Sequence, residues 1–265
     1  MKTFIGFLFL FMLSHNLYAS TDTDLDCMDG INIYPTGEMI YQNSLIVLSN
    51  WGSGNTQSIL MNLEVEYFAY LISADHEVKL NLEELRKTKE RYFQAILRPD
   101  EELRPGRVYK IFIKNLNEAE QNRYFKKRNN KTYELEDIDW IVLYGNDLQS
   151  PTIQEEPELV EKTCKYYGCG AEKYAVFEYK IKDKSDVMVF AEVKEVETNI
   201  TTSFFADISN ENKIYIGRWM CGGPIDYRNG KNYEIKFKVF DMSGNTSGRW
   251  SKTINYEHPC ERCDY

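Results

Sequence analysis

Histidine is scarce in this chain, and its scarcity excludes a good deal of chemistry: there are three in 265 residues. His15 falls in a leader described below, which leaves His76 and His258. A Ser-His-Asp or Cys-His catalytic group needs an imidazole that takes and returns a proton. His76, in Ser73-Ala74-Asp75-His76, reads as an exposed turn between two strands, and His258 as an exposed tail residue between Glu257 and Pro259. Neither lies near a Gly-flanked serine of the nucleophile-elbow kind. Long apolar runs are missing too. Beyond the N-terminus nothing approaches the roughly eighteen consecutive apolar residues of a membrane-spanning helix. Blocks of basic charge are equally absent. Lys126-Lys127-Arg128 runs into Asn129-Asn130 and reads as a solvated loop, while the net charge is −9. A chain of that sign repels phosphate backbones at long range, so nucleic acid is not an expected partner.

Acidic residues are abundant, and no spacing marks one pair of carboxylates as the acid and base of a hydrolase. Asp22, Asp24 and Asp26 begin like a calcium loop, but Cys27 stands where the loop needs glycine and Ile33 where it needs glutamate. No catalytic residue, cofactor or metal is expected.

What is present begins with a leader. Lys2 precedes an apolar run from Phe4 to Leu13, followed by Ser14-His15-Asn16 and by Ala19 and Ser20, where a peptidase could cut. This is the order of a signal peptide spanning residues 1–20. As a helix the apolar run would rise only about 15 Å, half a hydrocarbon core. The expected location of the mature chain is therefore secreted, periplasmic or cell-surface. All six cysteines lie beyond the leader, and Cys164, Cys169, Cys221, Cys260 and Cys263 fall in the chain after residue 160. An even count in an exported chain favours disulfides over a zinc site. Cys169 and Cys221 are both flanked by glycine, which permits close backbone approach, and their bridge would contribute roughly 4 kcal/mol by the chain-entropy argument. Cys164 would then meet Cys260 or Cys263.

Short runs of alternating character, split by turn signals, fill the rest. Before residue 146 they are 31–34, 44–48, 67–73, 78–82, 92–97, 108–114 and 140–144. After residue 158 they are 174–181, 187–196, 203–208, 213–217, 233–241 and 252–256. Short helices are suggested by charge only at Leu82–Arg91 and Asn117–Lys127. The proline- and glutamate-containing stretch 147–158 reads as an extended linker. The expected fold is all-β: two β-sandwiches in tandem, 27–146 and 159–258, with a tail at 259–265.

An internal echo supports the pairing. Gly106-Arg107-Val108-Tyr109 and Gly230-Lys231-Asn232-Tyr233 each open an alternating strand. A tyrosine there can bury its ring and bond its hydroxyl to the preceding turn. Leu103-Arg104-Pro105-Gly106-Arg107-Val108-Tyr109 resembles a strand start of bacterial immunoglobulin-like domains. Asp241-Met242-Ser243-Gly244-Asn245 is similar to the D-x-[SA]-G-N turn of bacterial fibronectin-III-like or immunoglobulin-like modules. The resemblance implies the immunoglobulin-like fold, with adhesion or spacing as its role, and transfers no active site.

The remaining candidates are aromatic loops: Trp51 in a Gly-rich segment, Tyr166 and Tyr167 before Gly168, and Trp219 before Cys221-Gly222-Gly223. Aromatic side chains on loops anchor proteins and stack on sugars. The function expected is non-enzymatic binding of a protein or cell-envelope component. A carbohydrate hydrolase using loop carboxylates and an exported protease inhibitor are the alternatives.

Overall fold

The computed structural model describes residues 29–52, 54–128, 135–167, 170–209 and 212–257. The first half contains β1 (Gly30–Tyr34), β2 (Met39–Ile40), β3 (Ile46–Trp51), α1 (Asn55–Met61), β4 (Phe68–Ile72), β5 (Glu77–Lys87), β6 (Phe93–Pro99), β7 (Val108–Lys114), α2 (Glu118–Tyr124), β8 (Lys126–Arg128), β9 (Leu135–Asp137) and β10 (Asp139–Val142). The second contains β11 (Thr152–Ile153), β12 (Glu158–Tyr167), β13 (Gly170–Glu178), β14 (Ile181–Lys182), β15 (Val187–Glu195), β16 (Ile200–Asp207), β17 (Lys213–Arg218), β18 (Asn232–Asp241) and β19 (Ile254–Glu257). The protein is mostly β, as its alternating runs imply.

The strongest alternation makes the central strands. In β7, Tyr109, Ile111 and Ile113 are buried while Lys110 and Lys114 face water. In β18 the buried set is Tyr233, Ile235, Phe237 and Val239. Each half closes over its own apolar cluster, around Leu48, Leu71 and Trp140 in the first and Phe177, Ile216 and Phe237 in the second.

The second half has one sheet of order β12-β13-β17 and another of order β16-β15-β18-β19, packed over one core. The first half echoes this order. It runs β1-β3-β6 and then β5-β4-β7-β10-β2, but in a single eight-stranded, curled sheet. What fuses its two layers is β5. Its first residues pair with β4, much of its length pairs with β6, and a register shift between Leu82 and Glu84 bends it from one layer to the other. Bulged strands that switch layers make corners of this kind.

The local structure decides both helical expectations. Leu82–Arg91 is not a helix: β5 continues to Lys87, and Thr88 to Tyr92 form the hairpin tip, with Thr88 N–H donating to Tyr92 O at 2.9 Å. Pairing with β6 outweighs the weak helical preference of an apolar-poor stretch. Asn117–Lys127 does hold a helix, α2, with the Asn117 side chain accepting from Glu120 N–H at the N-cap. Within 147–158, Asp147, Pro151 and Pro157 are buried, and β11 pairs with β14.

The halves meet along a mixed junction. Leu45, Val47 and Ile96 pack against Met188 and Met242. Leu45 N–H donates to Met242 O, and Gly37 N–H to Asp186 Oδ2 at 2.8 Å. The Arg86 guanidinium lies 4.4 Å from the centre of the Phe190 ring.

Candidate functional site

Of the aromatic residues singled out from sequence as loop residues, Trp51 ends strand β3 and Tyr166 and Tyr167 end strand β12, and only Trp219 lies in a turn. Trp219 and Gly222 close a tight turn, each accepting the other's N–H, at 3.1 and 2.9 Å. A Cβ on Gly170 would lie 2.6 Å from Met220 O, so the β12–β13 hairpin abuts that turn. Tyr166, Tyr167 and Trp219 are thereby gathered, exposed by 44, 40 and 46 %. From the other half comes Gly52, whose N lies 3.6 Å from where a Gly222 Cβ would be. Trp51 plays a different part: its indole packs against Gly30, where any Cβ would overlap the ring, and it is half-buried.

Cys164 is buried on β12 and disulfide-bonded. Cys221 is half-buried and lines the cleft described next. Cys169, Cys260 and Cys263 lie outside the described residues, and with them the expected Cys169–Cys221 bridge. His258 does so too.

Between the two glycine loops runs a cleft of about 160 Å³, walled by Trp51 and Tyr92 and by Glu90, Arg218 and Asp226. Asp226 is held by Arg218 at 3.1 Å and by Lys173 at 3.8 Å. Glu90, at the β5–β6 hairpin tip, differs. Burial raises its carboxyl above the ordinary carboxylate range; its backbone hydrogen bond and Lys89 and Arg228 oppose that, while Asp226 adds to it. Its Oε2 is buried without a hydrogen-bond partner. Glu90 and Asp226 also line a second, smaller cavity with Glu195 and Tyr233. Sequence reading missed Glu90 because nothing in a Lys-Glu-Arg turn marks one exposed-looking acid above the rest.

A second polar node fastens the junction further along. Asp147, Asp183 and Asp241 bring carboxylate oxygens within 4.8 Å of one another, an arrangement whose donor set suits a divalent cation. Hydrogen bonds already occupy it. Ser185 Oγ donates to Asp147 Oδ2 at 2.9 Å, and Asp241 accepts from Ser243 N–H, Asn245 N–H and the Asn245 side chain at 2.9, 2.8 and 2.7 Å. Burial, with Asp147 adding to it, still raises the Asp241 carboxyl against these bonds. The Asp-x-Ser-Gly-Asn turn is thus a junction element as well as a strand terminator. Three aspartates from distant segments could not be grouped from spacing.

His76 is not an exposed loop histidine. Its Nδ1 lies 2.7 Å from Tyr109 Oη and its Nε2 3.1 Å from Glu101. Tyr109 Oη also accepts from Arg104 N–H at 3.3 Å, so the ring braces a turn. Among the described residues no helix is long and apolar enough to cross a membrane.

No protein-family profile matches the chain, and no curated protein does. Among solved structures, a pullulanase from Anoxybacillus sp. LM18-11 is 8 % identical over 80 % of this chain and 24 % of its own, with a TM-score of 0.22. Pullulanase type I from Bacillus subtilis str. 168, complexed with maltose, is 7 % identical over 86 % and 24 %, TM-score 0.23. A cytokine receptor complex is 5 % identical over 87 % and 97 %, TM-score 0.25. The chain spans about a quarter of the length of the pullulanases it matches. Likeness at this level assigns neither fold family nor function.

Proposed function

We propose that the chain is an exported, non-enzymatic binding protein, built as two immunoglobulin-like sandwich modules whose junction presents an aromatic loop surface to a protein or cell-envelope partner. The echoed strand order and the paired Tyr109 and Tyr233 turns support the modules. The observation that carries the binding reading is the approach of Gly52 to Gly222, which closes a cleft between both halves next to the Trp219 turn, with Tyr166 and Tyr167 at the end of the adjoining β12. Loops held on rigid sheets are where such folds place recognition.

The test is capture from envelope extract by the mature protein, compared with Trp219→Ala and with Trp51→Ala. A specific partner lost with Trp219→Ala supports the reading; equal recovery of every protein by all three removes it. A glycosidase reading would use Glu90 as acid and Asp226 as base, and the raised Glu90 carboxyl speaks for it. Release of reducing sugar from a polysaccharide, abolished in Glu90→Gln, would replace binding with hydrolysis.

A further inference from the structure

This end of the junction contains three carboxylates, and two have ion-pair partners. Asp226 is answered by Arg218 and Lys173, and Glu195 by Arg228 at 3.5 Å. Glu90 Oε2 and Glu195 Oε1 are both buried without a hydrogen bond, but Glu195 has Arg228 beside it, whereas Glu90 has no ion pair among the described residues. Buried polar atoms are satisfied in the great majority of cases, and an orphan facing a cavity points to a donor supplied from outside. The cleft's walls narrow the choice. Trp51 and Tyr92 offer aromatic surface beside the acid, a combination that favours a cationic group with an apolar stem. Its volume of about 160 Å³ suits one long side chain, well below the size of pockets that enclose larger ligands.

We propose that this cleft receives an arginine or lysine side chain from the partner protein, with its cationic head paired to Glu90. This rests on the binding reading and supplies its partner chemistry. Trp219, Tyr166 and Tyr167 would then contact the surface from which the basic residue projects. Two arginines already line the cleft: Arg91 is exposed, and Arg218 does not fill this role, since its guanidinium is committed to Asp226 and points to the carbonyls of Trp219 and Met220 at 3.4 Å.

The test titrates butylguanidinium chloride, and its neutral isostere butylurea, into the mature protein at fixed ionic strength while amide shifts are followed by NMR. Saturable shifts confined to 88–92 and 218–226 are expected with the cation and not with butylurea. Glu90→Gln, which keeps the shape of the side chain, should weaken the cation about tenfold or more. Shifts scattered over the acidic surface, or equal affinity in Glu90→Gln, overturn the proposal. A Trp219-dependent partner captured from extract alongside a silent guanidinium titration would leave the binding reading standing and this inference fallen. Guanidinium binding without any Trp219-dependent partner would do the reverse.

Discussion

The Gln94 side chain and the Phe205 backbone, 111 positions apart, bond to each other twice: Gln94 Nε2 donates to Phe205 O at 2.8 Å, and Phe205 N–H donates to Gln94 Oε1 at 2.7 Å. Phe205 lies on β16, the outer strand of its sheet, whose free edge would otherwise leave such groups unpaired. A primary amide has the donor and acceptor spacing of a peptide group, so one side chain of the first half imitates a neighbouring strand for the second. Gln94 is 1 % exposed and also donates to Ser49 Oγ at 2.9 Å, which fixes its orientation.

Gln94→Ala should therefore cost about 2–4 kcal/mol, because both Phe205 groups lose their partners within the junction. Urea unfolding followed by fluorescence and by circular dichroism measures it. Loss of coincidence between the two probes in the variant would show the halves uncoupled. An unchanged midpoint would mean that the amide pair adds nothing to the junction.

Much of the β architecture was legible, and the reason is visible in β7 and β18, where one face is fully buried while the other is exposed in β7 and half-buried in β18. β12 was missed because it is an edge strand: of its residues only Cys164 is buried, so Glu158 to Tyr167 carry no alternation to read. The fusion of the first half into one curled sheet was also hidden, since it depends on a bulge at Leu82–Glu84 rather than on composition. At the site, the Trp219 turn could be found as a loop, but the placing of Trp51 on β3 and of Tyr166 and Tyr167 on β12 could not, nor could the meeting of the glycine segments. Gly52 and Gly222 approach only because the halves dock through Gln94, Leu45 and Met242.

The echoed tyrosines give a paired test. Tyr233 Oη accepts from Arg228 N–H at 2.9 Å, as Tyr109 Oη does from Arg104, and each bond spans five positions. Gly106 and Gly230, three positions before each tyrosine, both have positive φ, 75° and 65°. Tyr109→Phe strands His76 Nδ1 as well as the turn and should cost about 2 kcal/mol; Tyr233→Phe should cost about 1 kcal/mol. In the double variant the losses should add within about 0.5 kcal/mol, since the sites share no partner. Denaturant midpoints of the three proteins decide it, and strong coupling would contradict separate cores.

Glycine positions separate conformational need from space. At Gly217, φ is 153° and an added Cβ would drive into the carbonyl of Lys173 across the β13–β17 pair. At Gly230, φ is 65° but nothing lies within 4 Å. Gly230→Ala should cost about 1–2 kcal/mol from backbone strain alone. Gly217→Ala should cost about 3 kcal/mol or more, because the β13–β17 pair must open as well. Midpoints from urea melts rank the two, and a smaller loss at Gly217 would show that β17 shifts without penalty.

Acid should strengthen the junction. Glu90 and Asp241 each sit between the halves with carboxyls raised first by burial, then by like charge, from Asp226 and Asp147 respectively. Lys89 and Arg228 oppose the shift at Glu90, and the Asn245 and Ser243 bonds oppose it at Asp241. A raised acid binds its proton more tightly in the folded state than in the unfolded one. Its ionised form therefore weakens the fold: the penalty is absent below the unfolded values of 4.5 for Glu90 and 3.8 for Asp241. The penalty grows as pH rises from each unfolded value towards the folded one and is complete above the latter. Glu90→Gln should accordingly stabilise the protein at neutral pH and change little near an acidic pH of about 4, so its stability varies less with pH on the acid side. Thermal unfolding of both proteins across that range measures the difference, and a gain that is the same at every pH would assign the benefit of the Glu90→Gln change to packing rather than to charge. The same titration governs the cleft. Only the ionised Glu90 pairs with a guanidinium, so butylguanidinium should bind more weakly as pH falls through the raised carboxyl value, even while the junction itself tightens. Two observables moving in opposite directions with one proton is a signature that neither a surface acid nor a purely structural residue would give.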